Sequence, residues 1–295
     1  MTNAPAPLFD AAFLAQLDRL AIITKRAIAG DIQGERRSPR RGSSIEFADF
    51  RAYSPGDDFR QIDWNLYARL DKFFLKLFVA QEELTVHLLL DSSRSMDWGD
   101  PNKLQYAKRV IGGLGYVALA NLDRITLNAF GQDGLLEMPP QRSKRGAVSL
   151  FQFLQKLAPG SKTDFAGICR RYARTARNPG PLLLCSDLLD AGWRDGLQTL
   201  LSRRFDITLV HLLAPQEVEP DLEGDLRLVD SETGSPVDLT ADLDLLDRYR
   251  RSLVAWRDEV GEYCSDHGIA YVPLITSVPV EELLLHLLRQ RGILR

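Results

Sequence analysis

Asp91-Ser92-Ser93-Arg94-Ser95, with Thr163 and Asp187 further along the chain, supplies the residue types that hold a hard divalent cation. Carboxylates together with serine and threonine hydroxyls are oxygen donors suited to Mg²⁺ or Mn²⁺. The spacing Asp91-x-Ser93-x-Ser95 lets one tight loop turn alternate side chains in the same direction. Asp91, Ser93, Ser95, Thr163 and Asp187 are therefore the candidate metal ligands, with water or a partner's carboxylate completing an octahedron. Singly, each has a plainer reading. An Asp followed by serines after a strand makes an Asx-turn or a helix cap, Thr163 suits the N-cap of the next helix, and Asp187 is a loop acid.

The elements around these residues decide whether they can meet. Apolar runs at Thr85–Leu90, Pro181–Ser186 and Asp206–Leu213 read as buried strands, and Ile269–Leu274 as a last one. Arg124–Phe130 and Leu135–Met138 read as further strands. Between them, helical periodicity predicts helices over Lys103–Asn121, Ala147–Leu157, Phe165–Arg177, Gly192–Ser202, Ala241–His267 and Val280–Arg289. Strands apolar throughout and separated by helices predict an α/β fold, a mostly parallel central sheet with helices on both faces. Ligands of such sheets sit outside the carboxyl ends of the strands, where Asp91 and Asp187 fall and where the loop before Thr163 can return. Residues 8–29 read as a helix closed by Gly30, and 43–80 as a charged, aromatic stretch with strands such as Phe73 to Val79. Glu217–Asp238 reads as an irregular insert, a hairpin turning at Gly224 and Gly234.

The totals exclude several classes of function. A net charge of −3 gives no footing for a polyanion partner. Arg36, Arg37, Arg40 and Arg41 lack interleaved aromatic residues, so they read as a solvated loop with no nucleic acid bound. No run approaches the roughly 18 apolar residues of a membrane span, and the start of the chain lacks a signal-peptide pattern, so a cytoplasmic protein is expected. Cys169, Cys185 and Cys264 are widely spaced and sit in apolar segments, which reads as reduced core thiols. Gly113-x-Gly115-x-x-Ala118 matches a dinucleotide fingerprint only on paper, because it falls inside a helical pattern. There the glycines would serve close helix packing. The chain has no P-loop, and the residue two beyond Asp91 is Ser93 where an aspartyl phosphatase would carry a second Asp. His87 and His211 lie within buried strands and read as satisfied core residues.

Two patterns resemble known groups. Asp91-Ser92-Ser93-Arg94-Ser95-Met96, Thr163 and Asp187 resemble the metal-ion-dependent adhesion site (MIDAS) of a von Willebrand factor type A (vWA) domain. The stretch Gly42-x-x-x-Glu46-Phe47-x-x-x-Arg51-x-Tyr53-x-x-Gly56-Asp57-Asp58-x-Arg60-x-Ile62-Asp63-Trp64-x-x-x-Ala68-Arg69 resembles the signature of the DUF58 family. The resemblance implies a Rossmann-like vWA domain with an N-terminal helix and a strand-rich elaboration. It divides the chain into a helix and linker at 1–34, the signature region at 35–83 and the vWA-like domain at 84–295, with the hairpin insert at 217–238. Proteins of that family are typically bacterial, and the resemblance implies work beside a MoxR-type AAA+ ATPase in chaperone-like or maturation tasks.

Glu46, Arg51, Tyr53, Gly56, Asp57, Asp58, Arg60, Asp63, Trp64 and Arg69 then mark either a salt-bridged brace or a docking surface. Interleaved opposite charges favour Arg–carboxylate pairs. Gly56 after Pro55 suits a type II turn, and Trp64 is expected as a core anchor. The expected function is a metal-dependent protein-binding module, not an enzyme, capturing a carboxylate of a client or partner protein. The alternatives are a metal-dependent phosphohydrolase, for which only Asp97 and Asp100 lie near enough to act as base, and a metal-free scaffold in which the same residues are caps and turns.

Overall fold

A computed structural model describes residues 8–22, 45–54, 57, 59, 62–80, 85–131, 134–160, 164–230 and 234–294 of the chain. Side chains are not described at 45–49, 76–80 and 131. The chain divides into a larger unit, Met1–Ala29 with Thr85–Arg295, and a smaller one, Gly30–Leu84.

In the smaller unit, β1 (Ile45–Ala52) runs antiparallel to β2 (Phe74–Ala80), with an irregularity between Phe47 and Asp49. Between them lies a helix that the charged, aromatic sequence did not announce, Trp64–Leu70. Asp63 caps it, its Oδ1 accepting from the N–H groups of Asn65 (2.9 Å) and Leu66 (3.2 Å). Trp64 is 58% exposed, which overturns its expected role as a core anchor. It stands edge-on to Tyr67 and Phe73, which stack on each other at 4.5 Å. Arg51 pairs with Asp57 (2.6 Å), as the interleaved charges suggested. Tyr53 lies edge-on to Phe73 and Arg69 falls in the last turn of the helix. The side chain of Glu46, and Gly56, Asp58 and Arg60 altogether, lie outside what is described.

Among the described residues, the central sheet of the larger unit has six strands: β3 (Thr85–Asp91), β4 (Arg124–Gly131), β5 (Gly134–Arg142), β6 (Pro181–Ser186), β7 (Asp206–Leu213) and β10 (Ala270–Ile275). Their order is β10-β7-β6-β3-β4-β5. All neighbours are parallel except β4 and β5, an antiparallel edge pair. Helices cover both faces, as the apolar strands required. Leu89 of β3 joins Phe165, Ile168 and Trp193 in one core cluster. Its neighbour Leu88, pointing the other way, lies on the face holding Gly115 and Leu150. A Cβ on Gly115 would come within 2.8 Å of Leu150 and 2.9 Å of Leu88. That glycine therefore serves close packing of the helix Lys103–Ala120, as its place in a helical pattern implied. His87 and His211 are satisfied core residues: His87 Nε2 meets the Asn178 carbonyl (2.8 Å) and His211 Nε2 the Asp187 carbonyl (3.1 Å). Burial pushes both imidazoles down to about 4. The three cysteines are buried and free.

Several element bounds differ from those expected. The first helix is only Ala11–Leu17, capped by Asp10, and residues 23–30 lie outside the described set. The insert opens with a helical turn, Pro215–Val218, before its two strands β8 (Gly224–Val229) and β9 (Pro236–Ala241) pair antiparallel. The helix Leu243–Asp266 follows, capped by Asp242. Among the described residues no helix is long and apolar enough to cross a membrane.

Candidate metal-binding site

Asp91 is the last residue of β3 and Asp187 follows the last residue of β6, the strand beside it. The chain leaves β3 toward β4 on one side and returns to β6 on the other. Asp91 and Asp187 thus flank the point where strand order reverses, the crevice in which open α/β sheets bind ligands.

The Asp91 loop is held by its own polar groups. Asp91 Oδ1 accepts from the Ser93 N–H (2.9 Å), the Asx-turn expected of Asp-x-Ser. Ser92 turns away and donates from both its N–H (2.9 Å) and its hydroxyl (2.8 Å) to the Phe130 carbonyl. This leaves Ser93 and Ser95 on one side of the loop, their hydroxyl oxygens 2.9 Å apart. Met96 is fully buried behind them, while Trp98 is half-exposed. Gly160, three positions ahead of Thr163, donates its N–H to the Ser92 carbonyl (2.6 Å), so the second loop is tied to the first at that point. Thr163 itself lies outside the described residues. The cap of the next helix, Phe165–Thr175, is Asp164, whose side chain accepts from the Gly167 N–H (2.8 Å).

The two strand ends are joined through Ser186, whose hydroxyl donates to Asp91 Oδ2 (2.6 Å). Burial, and then the charge of Asp187, push the Asp91 carboxyl up to about 7, while hydrogen bonds from Ser186 and Ser93 oppose the rise. Two mostly enclosed carboxylates that repel each other are a place where a cation lowers the energy. Among the described residues no three His, Cys, Asp or Glu side chains form a metal-binding group. The candidate donor set is instead two carboxylates with the Ser93 and Ser95 hydroxyls, hard oxygens whose chemistry would suit Mg²⁺ or Mn²⁺.

Three residues at the site were not singled out in the sequence. Ser186 bridges the strands, and Lys103 and Glu217 stand beside Asp187. The Lys103 ammonium donates to Asp187 Oδ2 (2.8 Å) and to Glu217 Oε1 (2.6 Å). Burial pulls this ammonium down, but Asp187 and Glu217 outweigh it, so the group is held above its ordinary range. The one hint in the sequence is a lysine at the first position of a helix, where the helix dipole disfavours a cation. Asp97 and Asp100, the candidate bases that the sequence offered near the loop, are exposed, and Asp97 accepts from Asn102 Nδ2 (3.1 Å).

A family model described as "Protein of unknown function DUF58" matches residues 49–258. The uncharacterized protein Rv1480 of Mycobacterium tuberculosis is 25% identical over 274 residues, covering 90% of this chain and 86% of its own length. The uncharacterized protein Mb1516 of Mycobacterium bovis matches over the same shares at the same identity. Among solved structures, the conserved hypothetical protein BatB from Bacteroides thetaiotaomicron superposes with a TM-score of 0.44 at 14% identity, over 71% of this chain and 98% of that one.

Proposed function

The chain belongs to the DUF58 family, and on that premise we propose that its larger unit is a vWA-like, metal-dependent protein-binding module. Asp91, Ser93, Ser95 and Asp187 would hold one Mg²⁺ or Mn²⁺, with Thr163, which lies outside the described residues, as the fifth candidate ligand. When bound, the ion supplies an electrophilic point that accepts one oxygen of a partner's Asp or Glu. The residues of the chain do the rest. Asp91 anchors the loop to the sheet, Ser186 fixes its second oxygen, and the Asx-turn presents the Ser93 and Ser95 hydroxyls together.

The observation that carries this reading is the placement of Asp91 and Asp187 on adjacent strand ends at the reversal of strand order, with Asp91 raised by burial and by Asp187. A binder is favoured over a catalyst because Asp97 and Asp100 both face solvent, Asp97 already paired with Asn102, so neither is set as a general base in a dry site. We take the partner to be a MoxR-type AAA+ ATPase or a client delivered to it, with this chain as adaptor or co-chaperone.

The test uses the purified, nucleotide-free ATPase of the same organism, so that Mg²⁺ is not needed for nucleotide. Binding by biolayer interferometry is expected in buffer containing Mg²⁺. It is expected to vanish in EDTA and in the variant Ser93→Ala/Ser95→Ala. Equal affinity with and without chelator would overturn the proposal.

A further inference from the structure

Lys103 is the first residue of the helix Lys103–Ala120, and its side chain is 0% exposed. A buried ammonium is costly, and at a helix N-terminus the dipole adds to that cost. Among the described residues, two carboxylate partners offset it, Asp187 on one side and Glu217 on the other. Glu217 is held in turn. Its second oxygen accepts from the Ala214 N–H (2.7 Å), and its carbonyl accepts from the Tyr249 hydroxyl (2.6 Å). The ammonium takes Oδ2 of Asp187, while Oδ1, among the described residues, receives the long contact from the Leu189 N–H (3.3 Å).

With an ion bound and Asp91 ionised, as a ligating carboxylate must be, Asp91, Asp187 and Glu217 would carry three negative charges against one positive charge on Lys103, which leaves two, the complement of one divalent ion. Resting on the metal-binding reading above, we propose that Lys103 and Glu217 are positioning residues that set the charge of the site. Lys103 orients Asp187 and lowers cation affinity, and Glu217 offsets Lys103 and restores it. The pair together leaves the net charge of the site to Asp91 and Asp187, while Lys103 fixes the orientation of Asp187. Neither residue need touch the ion. Each acts through Asp187.

A charge-setting role predicts shifts of opposite sign, which a merely structural role does not. Mg²⁺ and Mn²⁺ affinity of the full chain is measured by isothermal titration calorimetry for wild type, Lys103→Met, Glu217→Gln and the double variant. At an effective dielectric of about 20, a unit charge this close to a ligand carboxylate changes divalent-cation affinity by roughly tenfold or more. Lys103→Met is expected to bind about tenfold tighter, and Glu217→Gln about tenfold weaker. The double variant is expected to return near wild type, because the two changes cancel in charge.

Lys103→Met leaves the buried Asp187 and the half-buried Glu217 without their cation. If it fails to fold, the double variant compared with Glu217→Gln decides. Recovery of affinity supports the proposal, and a further loss overturns it. Weakening in both single variants, or no change in either, also overturns it. Absence of ion binding in wild type would overturn the metal-binding reading and this proposal together. Binding in wild type with Glu217→Gln unchanged would overturn this proposal alone.

Discussion

Burial alone pushes the Asp123 carboxyl up to about 6. The group sits in the turn after the helix Lys103–Ala120, where its N–H donates to the Ala118 carbonyl (3.0 Å). Its folded value lies above its unfolded one near 3.8, so the fold prefers the protonated acid. The contribution of this group is therefore most favourable below pH 4, falls as pH rises from about 4 to 6, and is flat above. Asp123→Asn removes the penalty. After discounting for partial exposure, a gain of about 1 kcal/mol is expected at pH 7, shrinking to nothing near pH 4. Urea denaturation of both proteins at the two pH values checks this, and an equal gain at both would contradict it. Asp91 and Asp187 could be recognised in the sequence because each closes or follows an apolar strand. Lys103, Ser186 and Glu217 could not. Lys103 meets its partners 84 and 114 positions away, and such a pairing leaves no local trace.

The strands of the larger unit were legible because continuous apolar runs leave a buried strand little alternative, and β3, β6 and β7 came out within a residue of their expected ends. The helix Trp64–Leu70 was not, since seven residues give no full amphipathic period and its buried face is slight. The hairpin was read as an insert, but its second strand runs on to Ala241, because Thr240 and Ala241 pair with Asp225 and Gly224. At the end of the helix Lys103–Ala120, Leu122 takes a left-handed backbone (φ 63°) although its side chain is 64% exposed. An L-residue with a Cβ spends about 1–2 kcal/mol there, and Gly does not. Leu122→Gly removes that strain and gives back part of it as unfolded-chain entropy. A net stabilisation of about 1 kcal/mol is expected by thermal or urea unfolding; a loss of stability would show that the leucine packs usefully.

Strand order was the part of the molecule the sequence could not display. Periodicity names strands but does not say which lie side by side. Only with β6 beside β3 do Asp91 and Asp187 face the same crevice, and only the helical turn at Pro215–Val218 brings Glu217 to it. The same topology makes the site an assembly of loops from across the larger unit, moored to one another at Ser92 and Gly160 and at Asp91 and Ser186. The most direct measurement is Mn²⁺ binding to the purified chain followed by electron paramagnetic resonance. A single Mn²⁺ per chain is expected in wild type, displaced by Mg²⁺. Binding is expected to weaken at least about tenfold in Ser93→Ala/Ser95→Ala and in Asp187→Asn, each removing an oxygen donor or its charge. No bound ion in wild type, or equal binding in both variants, would contradict the account.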